Sequence, residues 1–141
     1  MDTLTLKILF MLGLVFCFVI RIPHQRENKK NVIADDRKTT QEKALLLLVF
    51  IGMMILPLIY VLSSWLSVAN YNLPVWVNWL GVATFGVAIW LFWRSHHDLG
   101  QNWSPTLEVR EGHTLISNGV YQKIRHPMYT SVFLWCIAQA L

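Results

Sequence analysis

The densest group of chemically capable side chains in this sequence is Arg125-His126-Pro127-Met128-Tyr129, where a guanidinium, an imidazole and a phenol surround a proline. Proline suits the first turn of a helix, where the leading N–H groups have no partners and the dipole end is positive. Arg125 and His126 before such a helix, with Tyr129 in its first turn, can hold a carboxylate or phosphate at the depth of a lipid headgroup. A plainer reading is also open, in which the two basic residues anchor a span and Tyr129 is a belt aromatic. Other clusters carry less. His96 and His97 are adjacent, so on a helix they point about 100° apart, and no histidine follows at i+4. They read as polar residues on a solvated helix end, and no metal site is expected. Glu108 and Glu111 flank a glycine turn and read as solvated loop charges rather than an acid/base pair. Neither a glycine-rich phosphate loop nor a GxSxG or HExxH motif occurs. Cys17 and Cys136 lie in apolar runs without a CxxC partner, which fits inert thiols better than a disulfide or zinc site.

The elements that must position these residues are apolar. Hydrophobic residues make up 55% of the 141 residues and charged residues 14%, against roughly 45–50% and 25% in soluble domains. Mean hydropathy is +0.43. The apolar residues are gathered into runs at 4–20, 44–68, 75–93 and from 129 to 141. A soluble domain of this size cannot hide so much apolar surface, and a disordered chain would not carry it. The expected fold is all-α, a polytopic integral membrane helix bundle of about four transmembrane helices, with residues 1–141 forming one membrane domain. The first run has Lys7 inside it and is followed by Arg21-Ile22-Pro23 instead of a small-residue cleavage site, so it reads as a retained span. Pro57 should kink the second run. Trp76 and Trp79 open the third run, and Trp90 and Trp93 close it, as aromatic belts do. The fourth run stops at 141, short of the roughly 20 residues a span needs, so the domain is expected to be C-terminally incomplete.

Net charge is +4, and the basic residues sit between the runs. Arg21, Arg26, Lys29, Lys30, Arg37, Lys38 and Lys43 fall in 21–43; Arg94, Arg110, Lys123 and Arg125 fall in 94–127; 69–74 has no Lys or Arg. The positive-inside rule makes 21–43 and 94–127 cytoplasmic segments. Such charge suits membrane lipid headgroups, and with no stacking aromatics interleaved it does not suggest nucleic acid. Within the second polar segment, 94–99 should extend the third helix, with Gly100 ending it. Short extended pieces are expected at 106–109 and 114–116 around a turn at 110–113, then a turn at 118–119 and a short helix or turn at 120–124.

Two stretches in this segment carry a resemblance. His113-Thr114-Leu115-Ile116-Ser117-Asn118-Gly119-Val120-Tyr121, followed by Arg125-His126-Pro127-Met128-Tyr129, resembles the core of the isoprenylcysteine carboxyl methyltransferase family. That family has a His-Thr-Leu-Val-like run, a Gly-x-Tyr and then R-H-P-x-Y-x-G at matching spacing. Leu99-Gly100-Gln101-Asn102-Trp103-Ser104 is similar to its bacterial branch, and the resemblance covers roughly 75–141. It implies a multi-span helical enzyme that takes S-adenosylmethionine from the cytosol and methylates the carboxylate of a prenylcysteine-like or other lipidic acceptor. By the same resemblance His113, Thr114, Leu115, Ile116, Tyr121, His126, Pro127, Met128 and Tyr129 line the cofactor site; the chemistry of a carboxylate reaction then gives Arg125, the candidate catalytic residue, the role of orienting the site's carboxylates. R-H-P-x-Y is shared with phospholipid N-methyltransferases and sterol-type reductases, which stand as alternatives, as does a non-catalytic membrane scaffold. Ser131 occupies the place of the family's usual glycine. The family's Glu-Glu motif and a substrate-side arginine belong to a later helix.

Overall fold

The structure, a computed structural model, describes residues 3–28, 33–36, 39–69, 73–104, 106, 108–110 and 114–141. Helix α1 (Thr3–Asn28) runs through the first apolar stretch and continues past Pro23 into the basic segment. A two-stranded ribbon follows from distant pieces: strand β1 (Ile33–Asp36) pairs antiparallel with strand β2 (Glu108–Arg110). The extended piece expected at 106–109 is thus real in part and pairs with 33–36, whereas the one expected at 114–116 is irregular. A strand needs a ladder of hydrogen bonds, and the first polar segment supplies it. The turn expected at 110–113 falls largely outside the described residues.

The second apolar run starts earlier and ends sooner than its hydropathy indicates. Helix α2 (Thr40–Phe50) opens on Thr39, whose hydroxyl accepts the Glu42 N–H at 3.1 Å, as in the Thr-x-x-Glu capping pattern. It passes through a π-helical turn (Ile51–Ile55) into helix α3 (Leu56–Leu62). The wide turn sits immediately before Pro57, which has no N–H to give and whose ring crowds the preceding turn; the Leu56 N–H reaches back to the Ile51 carbonyl. Met53 and Met54 of this turn pack against the core. The span expected at 44–68 is therefore corrected to Thr40–Leu62. Ser63 ends it, turning extended while its hydroxyl donates to the Ile59 carbonyl at 2.7 Å.

Helix α4 (Val75–Leu99) is the spine of the bundle, and helix α5 (Pro127–Ala140) packs along it. Gly100, with φ +50°, closes α4 at the expected place. Leu14 of α1, Ala88 of α4 and Trp135 of α5 form the buried core, and Phe10, Phe85 and Trp135 stack around it, Phe85 and Trp135 edge to face at 4.7 Å. Gly13 admits this packing, since a Cβ there would drive into the Phe85 ring and Ile89. Among the described residues, three helical stretches are long and apolar enough to cross a membrane: Thr3–Glu27, Thr40–Leu62 and Val75–Asn102. The fourth expected span is the 14-residue α5, about 21 Å long at 1.5 Å per residue. Exposed Trp76, Trp79, Trp90 and Trp93 mark both ends of α4. The whole is a helical membrane bundle.

Candidate functional site

The motif residues gather where α4 ends and α5 begins. His126 precedes α5 in an extended-side conformation (φ −131°, ψ 65°), as a residue before proline must, and buried Pro127 occupies the first helical turn. The first N–H to close back is that of Thr130, on the His126 carbonyl at 3.0 Å. The amides of Met128 and Tyr129 accordingly lie at the open, positive start of the helix. The His126 and Tyr129 rings lie 5.7 Å apart, both exposed, Tyr129 to 75%. Arg125 is exposed beside them, and among the described residues it makes no ion pair.

The upstream motif comes to the same end of the bundle through two ties to α4 and its extension. The Thr114 N–H donates to Asn102 Oδ1 at 2.7 Å, which anchors the strip Thr114-Leu115-Ile116; Leu115 is 95% exposed. The second tie is Asp98, in the last turn of α4, whose carboxylate accepts the Val120 N–H at 2.8 Å. That bond holds a 3-10 turn (Gly119–Gln122) in which Tyr121 sits half-buried. Gly119 has φ +59°, and a Cβ there would fall on the Asp98 carboxylate, so both the backbone and the space require glycine. Arg94, one turn back on α4, steadies the carboxylate at 3.2 Å. The Tyr121 hydroxyl bonds Ser95. Burial first, and the Asp98 charge second, push the Tyr121 phenol up to about 12, the Ser95 bond pulling the other way.

Of the expected site residues, Thr114, Leu115, Ile116, Tyr121, Arg125, His126, Pro127, Met128 and Tyr129 are thus brought to one end of the bundle. His113 lies outside the described residues, as does Glu111. The reading of His96 as part of a solvated helix end is corrected: it is fully buried, its Nδ1–H donating to the Phe92 carbonyl at 2.9 Å and its ring packed on Phe92, Trp103 and His24. Its neighbour His97, 100° around the helix, is the exposed one. Arg21 lies over the Trp103 ring at 5.4 Å, so this cluster ties α1 to the segment after α4. Sequence reasoning missed Asp98, Ser95 and Asn102, although Gly119 in an Asn-Gly turn was a hint that something approaches it closely. Ser131 is 1% exposed and donates to the Ala88 carbonyl at 2.9 Å, which makes it an α4–α5 contact. Cavities of about 340 and 320 Å³ lie elsewhere, around Lys7, Tyr60 and Ser63 and around Leu58 and Trp65.

A helical membrane bundle with its polar motifs gathered at one end belongs with the integral membrane proteins. Over residues 79–141 the sequence matches the model of the isoprenylcysteine carboxyl methyltransferase (ICMT) family, which bears out the resemblance read from the motifs and points to a membrane methyltransferase. No curated protein matches the sequence.

Proposed function

We propose that this protein transfers a methyl group from S-adenosylmethionine to the carboxylate of a prenylcysteine-like or other lipidic acid at the membrane surface. The observation that carries the reading is the convergence of the two family motifs, separated in sequence, on the junction of α4 and α5. The side chains fit the cofactor's chemistry. Its α-carboxylate suits the open amides of Met128 and Tyr129 and the Arg125 guanidinium, and its cationic and aromatic parts suit the Tyr121, His126 and Tyr129 rings and the Leu115 side chain. S-adenosylmethionine, when bound, supplies an electrophilic methyl on a sulfonium. A carboxylate is ionised at pH 7; its oxygen takes the methyl, the carbon–sulfur bond breaks onto sulfur, and no proton moves. The residues therefore need only orient the partners and exclude water, a contribution of about 7–11 kcal/mol where alignment is good. Arg125 orients the carboxylates, and the rings hold the cofactor. The basic segments 21–43 and 94–127 support a cytoplasmic site, which would be open to the cofactor from water and to the lipid tail from the side.

Calorimetry with S-adenosylhomocysteine in nanodiscs tests the cofactor site, and transfer of labelled methyl to a farnesylcysteine analogue tests the acceptor. Saturable binding that Tyr129→Ala and His126→Ala together abolish is the expected result. Labelling of phosphatidylethanolamine instead would move the activity to an amine acceptor. Failure to bind the cofactor would leave a reductase or a scaffold.

A further inference from the structure

Asp98 lies within the stretch that matches the family but outside the motifs quoted for it, and the upstream half of the site is fastened to it. We propose that Asp98 is a positioning residue for cofactor binding: it locks the Gly119–Gln122 turn against α4, so that Tyr121 is presented beside the start of α5 before any ligand arrives. The proposal rests on the methyltransferase reading for what is bound, but not for what Asp98 does to the turn.

Asp98 and Ser95 are three residues apart and share one face of α4. Asp98 takes the backbone of the turn through the Val120 N–H at 2.8 Å, a contact spanning 22 residues, and its side chain is 6% exposed. Ser95 takes the phenol. The Ser95 hydroxyl is itself fixed in place, donating to the Leu91 carbonyl at 2.6 Å. The Tyr121 ring offers a ligand its π-face. Such a face favours a cation, which is what the ammonium and sulfonium groups of S-adenosylmethionine offer. The glycine completes the lock, because its missing Cβ is what lets the carboxylate reach the turn at all. Arg94 at 3.2 Å and His97 at 3.5 Å orient the carboxylate from its own helix.

The test uses Asp98→Ala, Asp98→Asn, Gly119→Ala and the double variant Asp98→Ala/Gly119→Ala of the protein in nanodiscs, probed by S-adenosylhomocysteine calorimetry and by the NMR resonance of ¹³C-labelled Tyr121. Asp98→Ala removes a buried, charge-assisted acceptor and should weaken binding roughly 10–100-fold while shifting the Tyr121 resonance. Asp98→Asn keeps an acceptor for Val120 and should recover most of the affinity. Gly119→Ala should harm binding more in the parent than in the Asp98→Ala background, where the collision with the carboxylate is gone. Affinity within about twofold of the parent in Asp98→Ala, or an equal cost of Gly119→Ala in both backgrounds, would overturn the proposal. If the parent itself binds no cofactor, the methyltransferase reading falls, and the Tyr121 resonance alone decides: unmoved in Asp98→Ala, it sinks the lock as well. Should Asp98→Ala not fold, Gly119→Ala carries the test, because its Cβ must push the carboxylate off the turn, and parent-like affinity there would count against the proposal.

Discussion

Ser131 gives a quantitative test of how α5 is held to α4. Its hydroxyl, almost wholly buried, donates to the Ala88 carbonyl at 2.9 Å, and Ala88 itself is fully buried at the same contact. Replacing Ser131 by alanine deletes one donor but orphans nothing, because the Ala88 carbonyl keeps its own intrahelical bond. A hydrogen bond of this kind contributes about 0.5–1.5 kcal/mol in soluble proteins and about 0.6 kcal/mol on average between membrane helices. Ser131→Ala should therefore cost about 0.6–1 kcal/mol, roughly a three- to fivefold change in the folding equilibrium. Ser131→Gly loses the same bond and adds about 1 kcal/mol for glycine in a helix interior, so it should cost more than alanine even though glycine is the residue the family favours. Ser131→Val keeps neither the bond nor the fit, and forcing an extra methyl into a closed contact costs about 1–3 kcal/mol. Reversible unfolding in mixed detergent and lipid, followed by tryptophan fluorescence, reads all three; Trp135 lies one turn further along α5 against Phe85 and reports on this contact. The predicted order is alanine, then glycine, then valine. Valine no worse than alanine would mean that α4 and α5 do not meet closely at this point, and the reasoning would fail with it.

The remaining predictions use different contacts. Because the fold holds the Tyr121 phenol protonated up to about 12, against 10 for an ordinary phenol, its contribution to stability is complete below pH 10 and is lost as the pH rises through 12. Ultraviolet titration of phenolate should show a transition near pH 12 that Tyr121→Phe removes, and a transition that survives would refute the assignment. Gly13→Ala should destabilise by about 1–3 kcal/mol through its clash with Phe85 and Ile89. In Gly86→Ala the new methyl meets open space, so the helix should gain up to about 1 kcal/mol; equal effects in the two variants would contradict the α1–α4 packing.

The elements legible in the sequence were those written in apolar runs and in punctuation. The spans followed from hydropathy, the end of α4 from Gly100, and the start of α5 from Pro127, because each of these signals is local. Hydropathy misplaced the second span because helix ends answer to caps. Thr39 and Glu42 extend the helix backwards into polar sequence, and Ser63 stops it inside an apolar run. The β1–β2 pairing was invisible for a different reason: its partners are separated by two spans, and nothing in either short piece names the other. His96 misled because two adjacent histidines look alike in sequence, while a helix turns one of them inward onto Trp103 and the other outward.

The candidate site divides along the same line between local and distant. Residues proposed to face a ligand sit in motifs, so their identities could be read directly, and several of them are exposed in the structure. Residues that hold those motifs in place act across 12 to 22 positions, as Asn102 does for Thr114 and Asp98 for Val120. A carboxylate in such a role looks in sequence like any solvated charge at a helix end. What distinguishes Asp98 is that it has exchanged water for a backbone N–H and a guanidinium, and that exchange demanded a glycine opposite. The readable counterpart of a buried, working charge was therefore not the charge but the glycine. The Asn118-Gly119 turn, positioned two residues before a motif tyrosine, is where a charge acting from a distance leaves its mark.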